Sequence, residues 1–217
     1  MKINSMMKQY SVLICILVSS VLLVIASLLY PGGSLLDKNS AGFDWSKNFI
    51  SNLFLAKALN GEQNPARFWA IIGMAIHSIG YGIFYIHMSK KIPAKHAAGV
   101  LQFIGATNVL FTFLIVTPLH DIMVTISATL TLLGLFYITV YLFKTKLHWL
   151  KAFSISCLLI FYYTLFLYGL GNWGLLAVMQ KVSFISSMLL VLALEYFATA
   201  EDFKTVLKPQ NVQTSNS

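Results

Sequence analysis

Asp44, His77, His120 and Asp121 are residue types that ligate zinc, and Lys181 is a cation set inside an apolar run. Brought together, such groups would support metal-dependent hydrolysis. A zinc site takes three or four protein ligands, however. The remaining histidines, His87, His96 and His148, fall toward the opposite end of the apolar runs that contain them. Two histidines are left near one end, too few for a zinc site. No cofactor or metal is therefore expected, and a metal-dependent membrane lipid hydrolase stands only as an alternative to a non-catalytic protein.

The elements that must position these residues are long and greasy. Of 217 residues, 58% are hydrophobic and 10% charged, with a mean hydropathy of +0.76. Soluble domains carry about 25% charged residues, so the composition specifies an integral membrane protein. Six runs are long enough to span at about 20 apolar residues each: roughly 11–30, 68–88, 97–117, 118–143, 152–168 and 175–198. The fold class expected is all-α, a polytopic six-transmembrane-helix bundle in one domain over 1–203, followed by a polar tail over 204–217. The first run is too long for a signal h-region and lacks an A-x-A cleavage site, so it is read as a span. Cys15 and Cys157 sit in apolar runs as small hydrophobes and no disulfide is expected.

A net charge of +8 would suit nucleic acid if it lay along one soluble face. Instead the basic residues cluster between apolar runs. Lys2, Lys8, Lys90, Lys91, Lys95, Lys144, Lys146, Lys151, Lys204 and Lys208 fall on one side, while Lys38, Lys47, Lys57, Arg67 and Lys181 fall on the other. By the positive-inside rule the protein is multi-pass in the cell (inner) membrane with both termini cytoplasmic. No nucleic-acid partner is expected. The 31–67 segment then faces outward. It is too long for a plain connection, and its aromatics need cover. An amphipathic turn or two in the interface, with Trp45 at headgroup level, would give it.

Polar residues within the spans are costly unless they meet a partner or water. His77 lies on a stripe with Gly73, Gly80 and Phe84, and small residues mark faces where helices approach. His77 and Asn108 each lie nine residues, about 14 Å, below the outer surface, which predicts a hydrogen bond between the second and third spans. Asp121 complements the positive end of the fourth helix, and Ser127, Thr131 and Gly134 continue a stripe from His120. Tyr168 and Asn172 lie at the turn before the last span. An ammonium at Lys181 costs roughly 2.5 to 3.5 kcal/mol in hydrocarbon. Its expected partner is Asp44, then Asp121, with snorkelling to headgroups as the alternative. Glu195 is expected to reach cytoplasmic water. Together these residues predict an outer polar pocket under a loop lid.

Three stretches, "FDWSKNFISNLF", "LHDIMVTISATLTLLG" and "GLLAVMQKVSF", taken together resemble the bacterial domain-of-unknown-function branch of the Frag1/DRAM/Sfk1-like six-helix membrane proteins. The resemblance implies an acid followed by an Ile-Ser-x-Leu box in the first external loop, here Asp44 with Ile50, Ser51 and Leu53. It also implies a histidine opening the fourth helix, here His120, and a Gly-x-x-Glu-Arg-like element in the last, where this chain has Gln180 and Lys181. The exchange keeps the cation and loses the acid. The implied function is limited to lipid or membrane-trafficking roles of eukaryotic relatives. The expectation is a non-catalytic integral membrane protein that binds a membrane lipid headgroup or a membrane-protein partner in the outer polar pocket. A small transporter is a further alternative, disfavoured because no two halves look alike and no span is broken midway.

Overall fold

The computed structural model describes residues 9–114, 117 and 119–204. Among these, the secondary structure is α1 (Ser11–Leu29), a 3-10 helix (Ile50–Phe54), α2 (Ala66–Lys91), α3 (Lys95–Leu114), α4 (His120–Leu142), α5 (His148–Leu170), α6 (Trp173–Phe197) and α7 (Ala200–Lys204), with no strands. Five of the six long helices contain stretches long and apolar enough to cross a membrane: Ser11–Leu29, Ala66–Lys91, Thr125–Leu142, His148–Leu170 and Trp173–Phe197. The chain is thus all-helical, with the composition of a multi-pass membrane protein. The sixth long helix, α3, carries Lys95, His96, Gln102, Thr107 and Asn108 and is not among the five. Of the expected tail over 204–217, Lys204 ends α7 and 205–217 lie outside the described residues, while Phe203 just before it is fully buried.

Helix boundaries follow from local chemistry. The residue before a proline is pushed out of the helical region, and α1 stops where Tyr30 turns extended before Pro31. Ile92 does the same before Pro93 at the end of α2. Gly171 ends α5 in the left-handed conformation at φ +69°, a common C-terminal stop. Asn172 then caps α6 by accepting from the Leu175 N–H at 3.3 Å, as short polar residues do at helix starts.

Consecutive long helices pack side by side, and α6 closes the bundle by touching α2 and α1 as well as α5. Close approach needs small residues: a Cβ on Gly80 would come within 2.7 Å of Cys15 Cβ on α1. The larger core cluster joins Phe84, Tyr85 and Met88 of α2 to Leu101 and Ile104 of α3, Ile138 of α4 and Leu190 and Leu194 of α6. A second cluster sits at the end where the α1–α2 connection folds over the bundle, and joins Tyr30, Leu53 and Phe54 to Ala66, Ala70 and Met74. Contact between α4 and α5 is the thinnest among consecutive long helices. Residues of both helices line the cavity described next.

Candidate functional site: a capped cavity

The α1–α2 connection is a folded cap. Gly32 and Gly33 begin it, and Gly33 adopts φ +84°, where a side chain would collide with the backbone of Leu59 and Asn60. Isolated bridges pair Gly32 with Ala41 and Lys57 with Gln63. Asn48, wholly buried, donates to the Gly33 carbonyl at 2.6 Å and accepts from the Asp44 N–H at 2.9 Å. Asn52 accepts from the Phe49 N–H at 2.8 Å, setting the first turn of the 3-10 helix. Asn64 donates to the carbonyls of Leu53 and Leu55 at 3.2 and 2.8 Å, and the Tyr30 hydroxyl accepts from the Leu59 N–H at 3.0 Å. Buried backbone groups require partners, and in this cap three asparagines and a tyrosine supply them. Burial pushes the Tyr30 phenol up despite that N–H bond.

The aromatics of the cap are covered by helices. Phe49 packs with Leu167 of α5 and Leu176 and Ala177 of α6, while Leu53 and Phe54 belong to the second core cluster. An amphipathic turn lying in the interface is therefore replaced by a plug in the bundle. Among the cap aromatics Trp45 stays exposed, edge-on to Phe43 at 5.2 Å between ring centres.

Two adjacent side chains of α6 latch this cap. Gln180 Oε1 accepts from the Ile50 N–H at 2.8 Å. Lys181 Nζ donates to the Asn48 carbonyl at 2.5 Å and to the Ala177 carbonyl of its own helix at 2.6 Å, and lies 5.9 Å from the centre of the Phe43 ring. The cation thus fastens the loop to the bundle, as its depth predicts, but through a backbone carbonyl. Asp44, the expected partner, forms no salt bridge with it and acts on it only through its charge, at longer range. The Asp44 carboxylate accepts from the Ser46 hydroxyl and N–H at 2.6 and 2.8 Å and lies 3.5 Å from Lys47 Nζ. The Ser46 bonds, with Lys47 adding, hold the Asp44 carboxyl below its usual range. The reason for the change of partner is local: an Asx-type turn captures the carboxylate two residues away, leaving the Asn48 carbonyl to face α6.

Below the cap lies a cavity of about 470 Å³, within the 300 to 1,000 Å³ span of small-molecule sites. Ile50, Ser51 and Asn52 form part of its roof, and α2 to α6 all contribute to its walls. Of the residues singled out by sequence, Ser51, His77, Asn108, Ser127, Thr131, Tyr168 and Gln180 line it. Asp44 and Lys181 belong to the cap and its latch. His120 and Asp121 open α4, and their side chains lie outside the described residues. The pocket expected to be polar is mostly apolar, with uncharged polar groups at intervals.

These polar groups are grouped in sets. Asn108 donates to Thr131 Oγ1 at 3.0 Å and accepts from Ser127 Oγ at 2.8 Å. Tyr81 and Ser187 hydroxyls share a bond of 2.9 Å, and those of Thr164 and Ser183 one of 2.8 Å. His77 lies between the Tyr81 and Phe184 rings, 4.4 and 4.7 Å between centres. The expected His77–Asn108 hydrogen bond is not formed. Ser127 and Thr131, one turn apart on α4, take both ends of the Asn108 amide, and His77 turns toward α6.

At the opposite end, Glu195 is half-buried, its side chain only 7% exposed, rather than reaching freely into water. Its carboxylate bonds His87 Nδ1 at 2.6 Å and lies 3.7 Å from Lys91 Nζ, and that lysine also donates to the carbonyls of Leu194 and Glu195 at 3.1 and 2.6 Å. One acid between two basic side chains of α2 draws them onto α6.

Sequence reading missed Asn48, Tyr81, Thr164 and Phe184. A signal existed for α6 alone, where Gln180, Ser183, Phe184 and Ser187 recur at helical spacing along one face. Among the described residues, no three His, Cys, Asp or Glu side chains come together as a metal site would require. The chain matches no family model, no curated protein and no solved structure.

Proposed function

We propose that this is a six-span membrane protein that holds a membrane lipid in the cavity beneath the cap, without catalysis. The observation that carries the reading is the cavity itself: about 470 Å³, mostly apolar, dotted with uncharged polar groups, and roofed by a cap latched through Gln180 and Lys181. An apolar enclosure with a few placed polar groups suits an amphiphile better than an ion or a soluble metabolite. The thin α4–α5 contact gives such a molecule a lateral way in from the bilayer. In this reading α3 is the sixth span, the 31–67 cap faces outward and both termini are cytoplasmic, as the distribution of basic residues favours.

The same latch supports the resemblance to the Frag1/DRAM/Sfk1-like group. It joins the stretch holding Ile50, Ser51 and Leu53 to the one holding Gln180 and Lys181, two of the three on which that resemblance rests. The Ile50 N–H needs only an acceptor oxygen, which an amide supplies as well as a carboxylate, so the loss of the acid at Gln180 leaves the latch intact.

Native mass spectrometry of the detergent-purified protein tests the reading. A lipid retained at one copy per chain is expected. Stoichiometric zinc with no lipid would replace the reading with metal-dependent hydrolysis, and a co-purifying membrane protein in place of lipid would make the cap a partner-binding surface.

A further inference from the structure

Resting on the lipid-holding reading, we infer that the occupant is an uncharged amphiphile carrying a free hydroxyl, and that His77 is the group that receives it. His77 is 5% exposed. It lines the cavity, and no described residue hydrogen-bonds either of its ring nitrogens, with Nδ1 wholly buried. A buried polar group without a partner is costly, and the other polar side chains on this part of the wall are engaged with one another: Asn108 with Ser127 and Thr131, and Tyr81 with Ser187. Among the described cavity-lining residues, His77 Nδ1 is the buried side-chain polar atom that a ligand would satisfy.

The chemistry of that ligand follows from what surrounds the ring. Stacked on Phe184 and tilted against Tyr81, with no described acid on the cavity wall, the imidazole is favoured in its neutral form, because an uncompensated buried charge is expensive. A neutral imidazole offers one donor and one acceptor. A hydroxyl meets either nitrogen in either tautomer, since it both donates and accepts. An ester carbonyl only accepts, and a quaternary ammonium does neither. Phosphates and carboxylates would enter a wall that holds no charged side chain among the described residues. The nearby cation, Lys181, is turned to the Asn48 and Ala177 carbonyls and does not line the cavity. The mostly apolar remainder of the wall then takes the chain.

Three probes with one acyl chain separate these chemistries: 1-monooleoylglycerol (uncharged, hydroxylated), methyl oleate (uncharged, no hydroxyl) and oleate (anionic). The purified protein is titrated with each, and the bound fraction is read by native mass spectrometry. The wild type is expected to bind monooleoylglycerol about tenfold more tightly than either other probe, the ratio one hydrogen bond of ordinary net strength gives. His77→Phe keeps the aromatic stack and removes both nitrogens. It is expected to bring monooleoylglycerol to the level of methyl oleate, and to weaken methyl oleate, whose ester carbonyl can meet only an imidazole N–H, by less. Equal binding of all three probes, or preference for oleate, overturns the hydroxyl assignment and leaves the lipid-holding reading in place. A preference for monooleoylglycerol that survives His77→Phe removes His77 from the role. Binding of none overturns both. Should the variant fail to fold, the wild-type series alone still decides the ligand class.

Discussion

Replacing Gln180 with Leu tests the latch at a single atom pair. The substitution keeps most of the side-chain volume and removes the oxygen that accepts from the Ile50 N–H at 2.8 Å. A neutral hydrogen bond contributes about 0.5 to 1.5 kcal/mol net, and an orphaned buried donor costs about 1 to 3. Ile50 is half-buried, so a small outward movement of the cap lets water reach it, and the lower part of that range applies, about 1 to 2 kcal/mol. That corresponds to a factor of roughly 5 to 30 in the open population. Native-state hydrogen exchange reads local opening of this kind. In nanodiscs, with fragmentation resolving the peptide over 48–54, the Ile50 amide is expected to exchange faster by that factor in Gln180→Leu. Gln180→Glu retains an acceptor oxygen and is expected to exchange like the wild type. An Ile50 amide equally protected in wild type and Gln180→Leu would refute the latch, whatever the global stability of the variant.

Lys181→Met is expected to open the same segment, because the Asn48 carbonyl loses its charged donor. Adding Asp44→Asn should couple to it only weakly, since Asp44 reaches Lys181 through its charge and not through a salt bridge; recovery of most of the loss in the double variant would restore the Asp44 pair. The Asp44 carboxyl is held below its usual range by Ser46 and Lys47. A depressed group stabilises the fold above its unfolded value and loses that contribution as pH falls through its folded one. Exchange at Ser46 and Lys47 should therefore be flat near neutrality and rise only below the ordinary Asp value of 3.8, beyond the intrinsic pH dependence measured on a reference peptide. At the other end, Glu195→Gln leaves Lys91 without its counter-charge and should lower thermal stability by up to about 3 kcal/mol, with partial recovery on adding Lys91→Met. After Cys15 and Cys157 are replaced by Ala, cysteines introduced at Ser40 and Ser217 should react with an impermeant maleimide from opposite faces. Reaction of both from one face would overturn the proposed topology.

The helices were legible because hydropathy over about 20 residues is a coarse, additive signal. Five of the six apolar runs overlap, over most of their length, a helix able to cross a membrane, and prolines at 31 and 93 mark where α1 and α2 stop. Depth was legible too, which is why Lys181 pointed to a fastening between α6 and the loop. The partner was not, because choosing among carbonyls, an Asp and headgroups depends on the path of the cap backbone. The turn that gives Ser46 to Asp44 uses up the expected acid, and nothing in the spacing of Asp44 and Lys181 reveals it. Likewise, matching depth brought His77 and Asn108 to one cavity but left their azimuths open. An azimuthal turn of His77 toward Phe184 separates a hydrogen bond from a stacked ring. Sequence reading expected a polar pocket because it counted polar residues by side of the membrane. Most of those found on the wall turned out to be paired with each other, and apolar surface fills the intervals.

The central claim is that a lipid occupies the cavity beneath the cap, and photo-crosslinking addresses it most directly. The protein is reconstituted with a lipid bearing a diazirine on its acyl chain, illuminated and digested, and the labelled residues are mapped. The account predicts adducts on cavity-lining residues, Met74, Thr131 and Phe184 among them, and their loss when unlabelled 1-monooleoylglycerol competes. Adducts confined to outward-facing positions such as Leu159, Leu189 and Phe197, unaffected by competitor, would contradict it.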